Sequence, residues 1–271
     1  MKYLSTLILC VYLCSCSNED IINDERIIQE FSDSFYTINP YWNTSETTNS
    51  SRYGIVNDPL DIQNNSLAFH LFPEDFNYGG KRNEFVLKTK DTIGLNVDYS
   101  FKFLFTSEFF ARNKELDWIM IHQWHDMPPR GMSWSDYNMD TNPPIQLYIR
   151  VLPGDKYYIV YAYGLKDKNR KSLRHLTYEF PLQPNEWYSF ENTIKWAKDE
   201  SGYSIPSING EYLVKSDENP TGKLIGANMF NDVPNYFKMG LYGNYLSNDT
   251  ISVYIDNFNY LLYLPEKTGS E

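Results

Sequence analysis

Cysteine is scarce in this chain of 271 residues, and all three cysteines, Cys10, Cys14 and Cys16, lie near the N-terminus. The rest of the chain therefore has no disulfide, no thiol nucleophile and no cysteine-rich zinc site. Positive charge is scarce as well, because 24 Lys and Arg residues face 35 Asp and Glu residues, a net charge of −11. Removing Lys2 with an N-terminal signal would leave 23 basic residues and a net charge of −12. This balance argues against general nucleic-acid binding and against a very highly sulfated ligand.

The N-terminus has the pattern of a secretory signal. Lys2 precedes the apolar run LSTLILCVYL, which is too short for a full membrane span. The run ends in Leu13-Cys14-Ser15-Cys16, which resembles a bacterial lipobox. Residues 1–15 are therefore predicted to be a lipoprotein signal peptide and Cys16 to be lipidated, with a plain signal peptide cut elsewhere as the alternative.

Residues 16–30 are predicted to be the lipidated N-terminus and a charged tether to the outer membrane. Lipidation anchors a protein to a membrane without making it span the bilayer. The segment SNED after Cys16 resembles the acidic signals that send Bacteroidetes lipoproteins to the cell surface. We therefore expect an outer-membrane lipoprotein exposed at the cell surface, with a periplasm-facing protein as the alternative.

Strand patterns dominate the remaining sequence. Apolar and aromatic runs alternate with turn signals such as LPGDK and INGEY, and no long segment has helical periodicity. The runs lie at residues 66–72, 84–89, 97–105, 117–125, 145–152, 156–164, 175–182, 187–196, 236–243 and 251–264. They predict one all-β domain over residues 31–271, a β-jelly roll in which two antiparallel sheets pack as a concanavalin A-like sandwich.

Three of these strands carry polar or titratable side chains on one face, because residues two apart in a strand point the same way. In DWIMIHQWH, Gln123 and His125 share one face, whereas His122 and Trp124 point to the other side and are expected to be structural. The other two sets are Arg82 with Glu84, and Tyr236 with Lys238, Gly240 and Tyr242. Gly240 is expected to leave room for a ligand.

Such groups suit β-elimination from a uronate-containing polysaccharide. Removing the C5 proton of a uronate adds negative charge next to a carboxylate, so the site must offset that charge with amide or guanidinium donors. It also needs a base, which histidine can supply near neutral pH, and a proton donor for the leaving glycosidic oxygen, which tyrosine can supply.

The three motifs resemble those of the jelly-roll polysaccharide lyases and occur in the same order. They are Arg82-x-Glu84, Gln123-x-His125 and Tyr236-x-Lys238-x-Gly240-x-Tyr242, and the resemblance runs from about residue 66 to residue 262. The broad family that includes heparin lyase I and glucuronan lyase is the most similar, and the alginate lyases of similar fold are more distant.

The resemblance implies catalytic roles for five residues. Gln123 and Arg82 would offset the substrate carboxylate, and Lys238 would help to bind it or favour an ionised tyrosine. His125 would be the base or a carboxylate partner. Tyr242 would be the acid, or both acid and base in a syn elimination. No cofactor is required for this chemistry.

Other residues are predicted to contact the substrate. Glu84 would orient Arg82, and the long stretch 126–144 supplies side chains that could cover the cleft and stack on sugar rings. The basic hairpin at 165–175 could contact an anionic polymer. The predicted substrate-binding residues are Glu84, Tyr236, Arg130, Trp134, Tyr137, Lys168 and Arg170. Asp256 in YIDNF resembles a position at which relatives hold a structural calcium ion.

The predicted function is a surface lipoprotein lyase, expected to be a monomer, that cleaves an acidic polysaccharide. A non-catalytic glycan-binding lipoprotein is the main alternative, because a fold does not fix a function. A laminarinase-like glycoside hydrolase is less favoured. Its same-face signature of Glu, Asp and Glu begins at Glu115 and Asp117, but the third position is Ile119.

Overall fold

The computed structural model describes residues 26–77, 80–114, 116–137, 143–166, 173–243 and 249–265. Strands in these ranges form two antiparallel sheets, which confirms the predicted fold class. The strands are β1 (Ile27–Asp33), β2 (Asn43–Glu46), β3 (Tyr53–Asn57), β4 (Asn65–Leu71), β5 (Lys81–Leu87), β6 (Asn96–Leu104), β7 (Trp118–His125), β8 (Ile145–Leu152), β9 (Lys156–Lys166), β10 (Leu173–Pro181), β11 (Trp187–Lys195), β12 (Tyr203–Ile208), β13 (Glu211–Tyr212), β14 (Leu224–Ile225), β15 (Tyr236–Gly243) and β16 (Ile251–Tyr263).

The two sheets differ in strand number, and the smaller one contains the strands with the predicted catalytic motifs. The nine-stranded sheet has the order β13-β12-β11-β6-β16-β4-β3, with β1 paired to β16 and β14 paired to β12. The seven-stranded sheet has the order β10-β9-β8-β7-β15-β5-β2. The second sheet contains all three strands that bear the predicted catalytic motifs, and β15 lies between the other two.

Aromatic side chains fill the space between the sheets. Phe101 and Phe190 from the larger sheet meet Phe237 and Trp124 from the smaller one, and all four are almost completely buried. The rings of Phe237 and Trp124 are 5.3 Å apart in an edge-to-face arrangement, which aromatic pairs prefer. Alternation along β7 and β15 therefore leaves the opposite face of the smaller sheet free for polar side chains.

All ten strands predicted from the sequence are present, with ends shifted by at most three residues. The prediction missed β1, β2, β3, β12, β13 and β14, together with the short α1 helix (Ser107–Arg112) and a 3-10 helix at Ser50–Arg52. Because β1 pairs with β16 from Ile27 onward, the tether predicted for residues 16–30 is too long at its C-terminal end. No helix in the described ranges is long and apolar enough to cross a bilayer.

Candidate active site

A cleft of about 950 Å³ lies on the face of the smaller sheet that points away from the core. It is lined by side chains from β2, β5, β7, β8, β9, β10 and β15 and by Trp134 from the loop after β7. Strand pairing brings the three sequence motifs together here. The neighbouring pairs are Tyr236 with His125, Lys238 with Gln123, and Tyr242 with Arg82.

A β-bulge in β7 determines which side chains line the cleft beside Gln123 and His125. The register shifts between Met120 and His122, and as a result Met120 lines the cleft together with Gln123, whereas Ile121 is buried in the core. A bulge adds a residue to one strand and resets the alternation beyond it. Gln123 and His125 remain on the cleft face as predicted.

Two carboxylates hold the polar side chains of the cleft in place. Gln123 Nε2 donates to Glu84 Oε1 at 2.6 Å. Glu46 Oε2 accepts from Lys238 Nζ at 2.7 Å and from Arg82 Nη1 at 2.9 Å. Glu84 also lies 3.8 Å from Arg82 Nη1, but it is buried and does not line the cleft, so its predicted contact with the substrate is wrong. Glu46 was not identified from the sequence.

The charges of this cluster stabilise one another. Burial alone would raise the pKa of Glu46, but Lys238 and Arg82 bring it below its ordinary value. Burial would likewise lower the pKa of Arg82, but Glu84 and Glu46 raise it above the usual range. Glu46 is therefore a carboxylate at neutral pH, and Arg82 is charged.

Tyr242 is held between a cation and an aromatic ring. Arg82 Cζ lies 4.2 Å from the centroid of the Tyr242 ring, and the Trp118 ring contacts it edge-on at 5.7 Å. Gly80 provides the space on another side, because a Cβ atom there would lie 2.5 Å from Tyr242 Cε2. These contacts fix the position of the tyrosine at the end of the cleft.

His125 is oriented by the residue that follows it. Its Nδ1 atom lies 2.8 Å from the carbonyl oxygen of Asp126 and 3.3 Å from Asp126 Oδ1. The ring stacks on Tyr236 at 5.6 Å and meets Trp134 edge-on at 5.5 Å. Since a carbonyl oxygen only accepts, Nδ1 carries the proton, and Nε2 of the neutral ring keeps a lone pair.

Tyr137 supports this arrangement from behind, and its predicted contact with sugar rings is wrong. It is 6% exposed, and its hydroxyl donates to Asp126 Oδ2 at 2.5 Å. Burial, followed by the adjacent Asp126, raises the pKa of Tyr137. It therefore stays protonated and fixes Asp126 rather than facing the substrate.

His122 lies on the core side of β7, as expected. It is fully buried; its Nδ1 donates to the carbonyl oxygen of Lys238 at 3.0 Å, and its Nε2 accepts from the Tyr99 hydroxyl at 2.9 Å. Burial lowers its pKa to about 3. His122 is thus a neutral structural residue that joins the core to the strand carrying Lys238.

Gly240 leaves space for the neighbouring strand, not for a ligand. Its φ angle is +145°, and a Cβ atom would lie 2.3 Å from the Asn83 carbonyl oxygen and 2.8 Å from Glu84 Cα. Only glycine tolerates both this backbone conformation and this close approach. The expectation of a ligand next to Gly240 is therefore wrong.

Of the other residues predicted to contact the substrate, some line the cleft and some do not. Trp134 lines the cleft and is 49% exposed, so it can meet a sugar ring. Arg130 is exposed in the same loop and does not line the cleft. Tyr236 lines the cleft, and burial, followed by Glu46 and Glu84, raises its pKa. Lys168, Arg170 and Cys16 lie outside the described residues.

The predicted calcium at Asp256 stays a prediction. Asp256 Oδ1 accepts the Asn257 backbone N–H at 2.8 Å, and Oδ2 accepts the Asn64 amide at 3.3 Å. The described ranges hold no cluster of three or more His, Cys, Asp and Glu side chains suited to a metal. The Asp256 carboxylate thus accepts hydrogen bonds from N–H donors, and these donors are not ligands for a cation.

The sequence prediction also missed the part of the cleft formed by β8. Gln146, Tyr148 and Arg150 alternate along IQLYIRVL and line the cleft beside Gln123 and Met120. Burial, opposed by Arg150, raises the pKa of Tyr148, so it is a neutral hydrogen-bonding group. The alternation of polar and apolar residues in this strand was the available signal.

Solved structures that include two lyases share the fold. An endo-β-1,4-glucuronan lyase from the fungus Trichoderma reesei has a TM-score of 0.61 at 14% identity, with 83% of this chain and 95% of that chain covered. The alginate lyase Aly36B has a TM-score of 0.58 at 14% identity, with 86% and 97% covered. LamAcat from Zobellia galactanivorans has a TM-score of 0.55 at 12% identity, with 88% and 98% covered.

A comparison with curated protein sequences found no match. The family model described as polysaccharide lyase matches residues 34–259, which include the whole cleft described above. The resemblance predicted from the three strand motifs is thereby confirmed. This chain belongs to the polysaccharide lyase family and is a polysaccharide lyase.

Proposed function

We propose that this lyase cleaves a uronate-containing polysaccharide by β-elimination in the cleft of the smaller sheet. The observation that carries the proposal is the convergence of three strand motifs, with Gln123 and Lys238 side by side between His125 and Tyr242. The similarity in fold to glucuronan and alginate lyases supports the choice of a uronate.

Binding of the substrate carboxylate is the first requirement. Gln123 uses one amide N–H for Glu84, and the other remains for a ligand. Lys238 and Arg82 each use one N–H for Glu46 and keep further donors. Charge-assisted hydrogen bonds from these groups would offset the uronate carboxylate and the negative charge that develops on it.

Proton abstraction is assigned to His125. Its Nδ1–H is directed to Asp126, so Nε2 is the basic atom. Taking the C5 proton there leaves an electron pair that forms the C4=C5 double bond as the C4–O glycosidic bond breaks. Asp126, held by Tyr137, stabilises the imidazolium that results.

Proton delivery to the leaving oxygen is assigned to Tyr242. The Arg82 guanidinium over its ring stabilises the phenolate that remains after the hydroxyl proton has moved. His125 and Tyr242 flank the Gln123–Lys238 pair along β15. Abstraction and donation thus occur on opposite sides of the bound carboxylate.

The test uses variants of the two proton carriers. The chain without its predicted signal is incubated with glucuronan, alginate, heparan sulfate and heparin, and the ultraviolet absorbance of new unsaturated ends is followed. Tyr242→Phe and His125→Ala should each lower kcat by about 10²–10⁴-fold, the contribution of a positioned acid or base. Tyr36→Phe, at a residue 71% exposed outside the cleft, is the matched control.

Normal turnover by either variant would refute the role of that residue. If Tyr242→Phe is inactive and His125→Ala retains most of its rate, Tyr242 acts as both acid and base. Binding of glycans without cleavage by the wild type would favour a binding protein.

We also propose that the lyase is attached to the outer membrane through a lipid on Cys16 and acts at the cell surface. The lipobox-like sequence and the acidic segment that follows it support this location.

A further inference from the structure

The cations at the catalytic end of the cleft are already paired with protein carboxylates. Glu46 Oε2 contacts Lys238 Nζ at 2.7 Å and Arg82 Nη1 at 2.9 Å. Glu84 Oε2 lies a further 3.8 Å from Arg82 Nη1. Two positive and two negative charges therefore cancel before any substrate is bound.

The β8 end of the cleft has no surplus of positive charge either. Arg150 forms an ion pair with Glu179, and Asp117 lines the cleft one strand away with its side chain exposed. Among the described residues, the positive charges of Arg82, Lys238 and Arg150 are thus matched by at least as many nearby carboxylates. The described part of the cleft therefore offers a densely anionic polymer no net positive charge.

Carboxylate and sulfate differ in what they require from such a site. A single uronate carboxylate can use the hydrogen-bond donors that remain on Gln123, Lys238 and Arg82. Every sulfate ester adds a permanent negative charge and several acceptors, which lose their hydration when they enter the cleft. The described lining of the cleft holds no further Lys or Arg to offset this loss, and Glu46 and Glu84 repel the added charge.

We infer that the cleft selects uronate polymers that carry no sulfate esters and that Glu46 is the residue that sets this selectivity. The inference rests on the proposed function and narrows its substrate class. Glu46 is the suitable residue because its side chain is 15% exposed and lines the cleft, whereas Glu84 is 1% exposed and bound to Gln123. Glu46 lies at the end of β2, an edge strand of the sheet, and reaches inward to both cations.

The experiment compares one uronan before and after chemical O-sulfation. Binding is measured by affinity electrophoresis on both polymers, and turnover by the absorbance of unsaturated ends. The variant is Glu46→Gln, which removes the charge and keeps the size of the side chain. The matched control is Glu211→Gln, which changes the net charge equally but lies exposed on the larger sheet.

The wild type and Glu211→Gln should bind the unsulfated polymer about tenfold more tightly than the sulfated one, the effect of an uncompensated charge near a protein surface. Glu46→Gln should reduce this preference by at least about threefold, and added salt should reduce it in all three proteins. The affinity ratio is informative even if the variant loses turnover, because it compares two polymers on one protein.

Equal or tighter binding of the sulfated polymer by the wild type would overturn the inference. A preference that is unchanged in Glu46→Gln would overturn the role of Glu46. Absence of cleavage of every uronan refutes the proposed function instead, and the binding ratio still decides whether the cleft excludes sulfate.

Discussion

Protonation of the buried His122 should make the stability of this protein fall as the pH is lowered. Burial lowers its pKa to about 3 from the ordinary value of 6.5. Between these values the unfolded chain binds a proton that the folded chain does not, so lowering the pH favours unfolding. Stability from this group is fully present above pH 6.5 and is lost as the pH falls toward 3.

The magnitude follows from the linkage relation. Between pH 7 and pH 5, His122 should reduce the free energy of unfolding by about 2 kcal/mol, because most of the unfolded chains are protonated at pH 5 and the folded chain is not. This value hardly changes for any folded-state pKa below about 4. Asp91, which accepts from Trp196 and Tyr260, acts in the opposite direction, since burial raises its pKa to about 6. It should add about 1 kcal/mol over the same range.

The assay is urea unfolding of residues 17–271 at pH 7 and pH 5, for the wild type and for His122→Gln. Glutamine has no charge at either pH and can both donate and accept hydrogen bonds. The variant will be less stable at pH 7, but its stability should fall about 2 kcal/mol less than that of the wild type on going to pH 5. The comparison cancels Asp91 and the other titratable groups. An identical pH dependence in the two proteins would show that His122 is not held neutral by burial.

Three further predictions concern the site and the N-terminus. Gly240→Ala should lower the free energy of unfolding by about 1–3 kcal/mol in urea, because the new Cβ meets the Asn83 carbonyl oxygen; unchanged stability would contradict the close approach. Tyr137→Phe should lower kcat several-fold with little change in KM, since Asp126 loses the donor that fixes it; a change in KM alone would indicate a substrate contact. Cys16→Ala should release the protein from the membrane fraction, and persistent membrane attachment would refute lipidation.

The sequence was sufficient to predict the strands that form the core. Runs such as IQLYIRVL and YFKMGLYG alternate strongly, and both have the boundaries expected. The short edge strand β2 was missed because its sequence is polar. NTSE, which forms β2, has no apolar alternation and becomes a strand only through pairing with β5.

The candidate site shows the same limit. Gln123, His125 and Tyr242 could be found because each belongs to a motif within one strand. Glu46 could not, since its contact with Lys238 spans 192 residues and depends on the order of strands in the sheet. Gly240 was noticed, but the strand that requires it is a tertiary neighbour, so its purpose was misassigned.

The central claim is that the protein cleaves a uronan by β-elimination. The most direct test is cleavage in water enriched in a heavy oxygen isotope, with the masses of the products measured by mass spectrometry. β-Elimination breaks the C4–O bond without a water molecule, so both new ends should lack the heavy label and one end should carry a C4=C5 double bond. Hydrolysis would place one heavy oxygen in each pair of products and leave no double bond. The account predicts unlabelled, unsaturated products from the wild type and none from Tyr242→Phe; labelled, saturated products would contradict it.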